Sequence, residues 1–153
     1  MSASAATEHH ARLAAFVGAW EGDETLHPAL TCGAPLRATG RFASRLDLGG
    51  LFLITEYTES SGDRVLLRGH GVYGYDPALD RYTMHWFDSS APLPTLCTGT
   101  WEGDTLTFAA ERPRGRARYV YRHLAPGRYT FAIHASADGL AWTPMLEGEY
   151  HRR

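Results

Sequence analysis

Four side chains carry acid–base potential at positions a fold could bring together: His70, His85, Glu24 and Asp88. If the turn Asp76-Pro77-Ala78-Leu79-Asp80 pairs Tyr75 with Tyr82, then Val72 faces His85 and His70 faces Phe87. The two histidines become diagonal neighbours on one sheet face, roughly 7 to 8 Å apart at Cα. A neutral imidazole near pH 7 takes or delivers a proton, with Asp88, Glu24 or a tyrosine to orient it. Such a pair inside a cavity suits isomerisation, cyclisation or hydrolysis of an apolar molecule without a cofactor. The opposite face of the same hairpin carries Tyr73, Tyr75, Tyr82, Met84 and Trp86, which suit contact with an apolar ligand.

Which face looks inward is open at this level. Unbroken alternation joins His70 to Arg68, Leu66 and Arg64, an outer-wall pattern, whereas a bulge at Gly69-His70-Gly71 would reverse the phase. Two histidines with Glu24 could hold a divalent metal, but no ligand spacing requires it, and no metal is assigned. Asp88-Ser89-Ser90 near His85 suggests a hydrolase triad only superficially, because no G-x-S-x-G elbow exists. Asp88 reads better as a turn residue capping nearby amides.

Composition removes other chemistries. The chain has no Lys, Asn or Gln, so all fifteen basic side chains are Arg. Schiff-base lysines, lysine-bound pyridoxal phosphate and phosphate-loop lysines are excluded, as are side-chain amide oxyanion donors. A formal charge of -2 offers no global field for nucleic acid or an anionic membrane. Cys32 and Cys97 are too few and too far apart for a zinc ribbon, and read as reduced thiols. The first twenty residues lack the pattern of a signal peptide, and no apolar run is long enough for a membrane helix. A cytoplasmic location is expected.

The elements that position these residues are mostly strands. A length of 153 residues suits one domain, with 1–6 as a flexible lead-in. Thr7 starts a short helix over 7–17, which Gly18 ends. About ten strands follow: 18–27, 37–47, 51–58, 64–75, 81–88, 95–102, 105–111, 116–124, 128–136 and 141–151. Short turns such as Ser61-Gly62-Asp63, Glu102-Gly103-Asp104 and Ala125-Pro126-Gly127 join them antiparallel. An all-β meander of amphipathic strands is satisfied by closing into a barrel. In the first strand Trp20, Gly22, Glu24 and Leu26 share a face. If Trp20 points inward so does Glu24, which must then be paired, hydrogen-bonded or protonated unless it sits at a wet barrel mouth.

The stretch Gly18-Ala19-Trp20-Glu21-Gly22, with Leu26-His27-Pro28, resembles the opening of nitrobindin-like bacterial domains of unknown function in the calycin (lipocalin-like) superfamily. The resemblance continues through residues 48–53, 69–77 and 82–89 and the closing 146–153, nearly the whole chain. It implies a ten-stranded calycin-like barrel with a ligand cavity. It also implies that Arg152 or Arg153 stacks on Trp20, a structural cation–π contact. Nitrobindins bind haem through a histidine of the final strand, and the comparable position here is Met145, so haem is a lesser alternative to core packing.

Arg112, Arg114, Arg116, Arg118 and Arg122 are evenly spaced and read as one solvated outer face paired with carboxylates, or alternatively as an anion site. Two functions follow for the barrel. The first is binding of a small, partly apolar molecule by Trp20, Tyr73, Met84, Trp86 and Met145, with no cofactor. The second is a cofactor-independent enzyme using His70 and His85. A scaffold that pairs through an exposed barrel edge, as in a homodimer, is a third and weaker reading.

Overall fold

The structure, a computed structural model, describes residues 2–153. Residues 2–6 are exposed and belong to no element, and Met1 lies outside the described residues. The helix α1 spans Glu8–Ala11 and runs into a 3-10 turn, Arg12–Phe16. Thr7 starts it: its N–H donates to His10 Nδ1 at 3.0 Å, and its hydroxyl lies 2.9 Å from the same nitrogen.

Ten antiparallel strands follow: β1 (Gly18–Leu26), β2 (Leu36–Asp47), β3 (Phe52–Ser61), β4 (Arg64–Asp76) and β5 (Arg81–Asp88). The set is completed by β6 (Thr95–Glu102), β7 (Thr105–Arg112), β8 (Gly115–Ala125), β9 (Arg128–Ser136) and β10 (Thr143–Arg152). Each strand pairs with its sequence neighbours, and β1 closes on β10 with Trp20 opposite Arg152 and Glu24 opposite Gly148. Closure leaves no edge strand, which removes the basis for pairing through an exposed barrel edge. One turn of helix, α2 (Pro28–Thr31), joins β1 to β2 and was not apparent from periodicity, because four residues are too few to show a period.

The two barrel ends differ. At one, called the helical end, residues 8–17 fold over the mouth. Leu13 and Phe16 are buried there, Tyr82 donates to the His9 carbonyl at 2.7 Å, and Trp20 Nε1 donates to the Phe16 carbonyl at 2.9 Å. Arg152 lies 4.8 Å above the Trp20 ring and donates to the Val17 carbonyl at 3.1 Å, so the expected cation–π contact forms. Beneath the plug the core is aromatic, with Phe16, Phe42, Tyr73, Phe108, Tyr121, Tyr129 and Tyr150 in mutual contact.

The opposite, far end carries the connections after β1, β3, β5, β7 and β9. Here the β3–β4 pairing shifts register, with Glu59 opposite Leu67 and Ser60 opposite Val65, leaving Leu66 as the extra residue. Leu66 packs on a second, small apolar cluster of Leu26, Ala38 and Leu146, beside partly buried Phe131 and Ile133. The glycines at 69 and 71 do not form the bulge considered above. A Cβ on Gly69 would meet the Trp86 ring at 2.4 Å, and one on Gly71 the Tyr73 ring at 2.6 Å. These glycines make room for aromatic rings, and the alternation of β4 runs through them unbroken.

Candidate functional site

That alternation decides the histidines. The register of the hairpin is the expected one, His70 opposite Phe87 and Val72 opposite His85. Both imidazoles are exposed on the outer wall, while Tyr73, Tyr82 and Met84 are buried inside. A two-histidine cavity is therefore not formed, and Glu24, inside the barrel, is separated from both by the wall. Among the described residues no group of three or more His, Cys, Asp or Glu side chains is placed to hold a metal ion. Asp88 accepts from Trp86 Nε1 at 2.8 Å and from the Ser90 N–H at 2.8 Å, the turn-capping role expected of it.

Glu24 points inward and is 1% exposed. Its carboxylate meets a second one. The Tyr57 hydroxyl lies 2.8 Å from each Glu24 oxygen and 3.0 Å from Glu59 Oε2, and the Tyr150 hydroxyl donates to Glu24 Oε1 at 2.5 Å. A phenol has one proton, so Tyr57 donates to only one of those three oxygens. The others are satisfied when a carboxyl group carries a proton and donates it to the phenol oxygen. Burial raises Glu24 from 4.5 to about 7, the Glu59 charge adds to the rise, and the Tyr150 and Tyr57 hydrogen bonds oppose it.

Local sequence makes the space. Across four neighbouring strands Tyr150, Gly22, Gly40 and Glu59 stand in one row. A Cβ on Gly40 would lie 2.0 Å from Glu24 Oε1, so the missing side chain is where the carboxylate sits. The four polar groups form a thin layer between the aromatic core and the Leu26–Ala38–Leu146 cluster. Among the described residues neither carboxylate has an Arg or His within ion-pair distance.

The expected ligand contacts are dispersed. Trp20 is fully buried at the helical end, engaged by Phe16 and Arg152. Tyr73 bonds the Tyr121 hydroxyl at 2.9 Å and lines a cavity of about 20 Å³ under the plug, room for roughly one water. Met84 is core packing at 1% exposure. Trp86 is partly exposed near the far end, its ring 5.8 Å from that of Tyr57.

Met145 is the extra residue of a bulge between Pro144 and Leu146, half-buried, its carbonyl accepting from the His27 N–H at 2.9 Å. The residues do not fit a haem. His134 and His151 share the outward face of their strands, which leaves no histidine of β9 or β10 inside the barrel as an axial ligand.

Sequence reasoning missed Tyr57, Glu59 and Tyr150. Period-two alternation from Leu53 through Thr55, Tyr57 and Glu59 was the available signal, and a strand ended at 58 hid its last member. The arginines do not share one face either. Arg112 ends β7 on the inward side, Arg114 lies in the turn, and Arg116, Arg118 and Arg122 face outward on β8. Arg116 and Arg122 pair with Glu111 and Asp104, both at 3.2 Å, whereas Arg118 covers the Trp142 ring at 4.3 Å.

A family model described as "Protein of unknown function (DUF1579)" matches residues 5–152. No curated protein matches the chain. Among solved structures, Rv2717c from M. tuberculosis is similar, with 14% identity, a TM-score of 0.69, and 98% of this chain and 99% of that one covered. The S-type phycobiliprotein lyase CPES from Guillardia theta is 11% identical with a TM-score of 0.64, over 95% and 92% of the two chains. At such identities the likeness concerns the fold, a calycin-like barrel.

Proposed function

The chain belongs to the DUF1579 family, and on that premise we propose that its barrel binds a small, partly apolar molecule through the far end, with Glu24 and Glu59 receiving the ligand's hydrogen-bond donors. The observation that carries this is a pair of carboxyl groups buried inside the barrel, joined through the Tyr57 hydroxyl and, among the described residues, with no cation beside them. Burying two carboxyl groups and two phenols without a cation costs stability, and such buried clusters of titratable groups mark functional sites. The Leu26–Ala38–Leu146 cluster lies between it and the far mouth, and Leu66, Phe131 and Ile133, packed on that cluster, are already partly exposed. Large apolar side chains left exposed gather at the same end: Leu30, Leu36, Val65, Leu93, Leu96 and Leu140, against Leu48 and Leu79 at the helical end. The architecture supports the reading too, since one neighbour is by name a phycobiliprotein lyase.

The test is a fluorescence titration with N-phenyl-1-naphthylamine, a neutral apolar amine with one N–H. Saturable binding to the folded wild type is expected, weakened about tenfold in the Glu24→Gln/Glu59→Gln variant, which corresponds to losing a hydrogen bond to a charged group. Equal affinity in the two proteins, or no saturable binding, overturns the proposal.

A second reading rests on the same group. A carboxyl raised to about 7 is poised to exchange a proton at neutral pH, so an acid–base enzyme would use Glu24 with Glu59 in place of the outward histidines. Turnover retained by the double variant would remove it.

A further inference from the structure

Beside the far mouth, where the β7–β8 turn meets the ends of β9 and β10, lies a groove of about 270 Å³ lined by Arg112, Arg114, Arg116, Ala135, Ser136 and Thr143. The turn that carries the arginines is fixed against β9, and Arg112 is held by a hydrogen bond. Gly115 has φ +134°, and a Cβ there would lie 2.2 Å from the Ser136 carbonyl oxygen, so the turn is pressed against the end of β9. Arg112 follows Leu106, Phe108 and Ala110 on the inward side of β7 and donates to the hydroxyl of Tyr119, which is itself buried. Its guanidinium thus leans from the lip over the barrel interior. Arg114 has no carboxylate within ion-pair distance among the described residues. Arg116 shares one exposed carboxylate, Glu111. Asp138, across the groove, is turned to its own loop, accepting from the N–H groups of Leu140 and Ala141 and from the Ser136 hydroxyl.

Three arginines line this groove and, among the described residues, only Arg116 has a carboxylate partner, which makes the lip anion-selective, and guanidinium forks match planar or tetrahedral oxyanions. Ala135, which lines the groove, lies two residues beyond Ile133 on the inward side of β9, so the groove adjoins the apolar lining of the far mouth. We infer that the ligand of the barrel carries a carboxylate, phosphate or sulfonate group, which Arg112, Arg114 and Arg116 hold at the lip while the apolar body enters beside Phe131 and Ile133. The inference rests on the binding proposed above and adds the polarity of the ligand and its direction of entry.

A matched pair of probes tests it. N-phenyl-1-naphthylamine and 8-anilinonaphthalene-1-sulfonate share one skeleton and differ by a sulfonate. The wild type is expected to bind the sulfonate at least tenfold more tightly. The Arg112→Gln/Arg114→Gln variant, which keeps a donor near Tyr119 but loses two charges, is expected to bind both equally, with an unchanged affinity for the neutral amine and an unchanged Tm. Equal affinities in the wild type, or a sulfonate preference that survives the double substitution, overturn the anion site while leaving the apolar binding intact. No binding of either probe by the native protein overturns both readings.

Discussion

Glu24 is held protonated at pH values where an exposed glutamate is ionised, and folding is linked to that proton. The folded protein retains it to about pH 7, whereas the unfolded chain releases it near 4.5. Between those values the native state binds the extra proton, so this share of stability is fully present below about pH 4.5 and is lost as pH rises through 7. The shift corresponds to about 3 kcal/mol. Glu24→Gln supplies a neutral donor and acceptor in the same place. Urea unfolding at pH 5 and pH 8 is expected to show wild type losing about 2 to 3 kcal/mol more than the variant over that interval. Parallel losses would mean that Glu24 titrates near its ordinary value.

At the scale of elements, the plug is packed into the helical end, and the proposed entry lies at the opposite end. Phe16 touches Trp101, Tyr121 and Tyr129 and lines the water-sized cavity, so it serves as a keystone of the helical end. Phe16→Ala is expected to cost about 3 to 5 kcal/mol, read as a lowered Tm, because the rings around it cannot all collapse into the space. Its affinity for N-phenyl-1-naphthylamine below the transition should match that of wild type, since entry is assigned to the opposite end. A tighter or looser complex would move the entrance to the plug. The β3–β4 bulge works on the far side, where its extra residue Leu66 packs on the Leu26–Ala38–Leu146 cluster.

For the molecule as a whole, closure of ten strands fixes an interior that aromatic rings almost fill. Met145 is the extra residue of a bulge in β10, and His134 and His151 share the outward face of their strands, so none of the three is placed as an axial ligand within the barrel. A titration with ferric haem is expected to give no stoichiometric Soret shift, and Met145→Ala is expected to behave like wild type. A saturable shift abolished in that variant would return the protein to a haem-binding reading. Among the described residues no helix is long and apolar enough to cross a membrane.

Much of this was already determined by sequence. Period-two alternation and turn residues fix strands whose ends fall within a few residues of those observed, and they set the hairpin register that pairs Val72 with His85. Trp20 and Glu24 share a strand face, so Glu24 had to be inside once Trp20 was. Such properties are local, set by the backbone and its nearest neighbours. Tertiary structure alone decided the rest. Whether glycines 69 and 71 bend a strand or receive rings depends on Trp86 and Tyr73 arriving above them, and that choice sent both histidines outside. Glu24 is separated by 33 residues from Tyr57 and by 126 from Tyr150, and only barrel closure brings the three hydroxyl and carboxyl groups to one point. Alternation gives each residue a face but no partner across the barrel, so the carboxyl pair and the reach of Arg112 over the mouth became legible only in three dimensions.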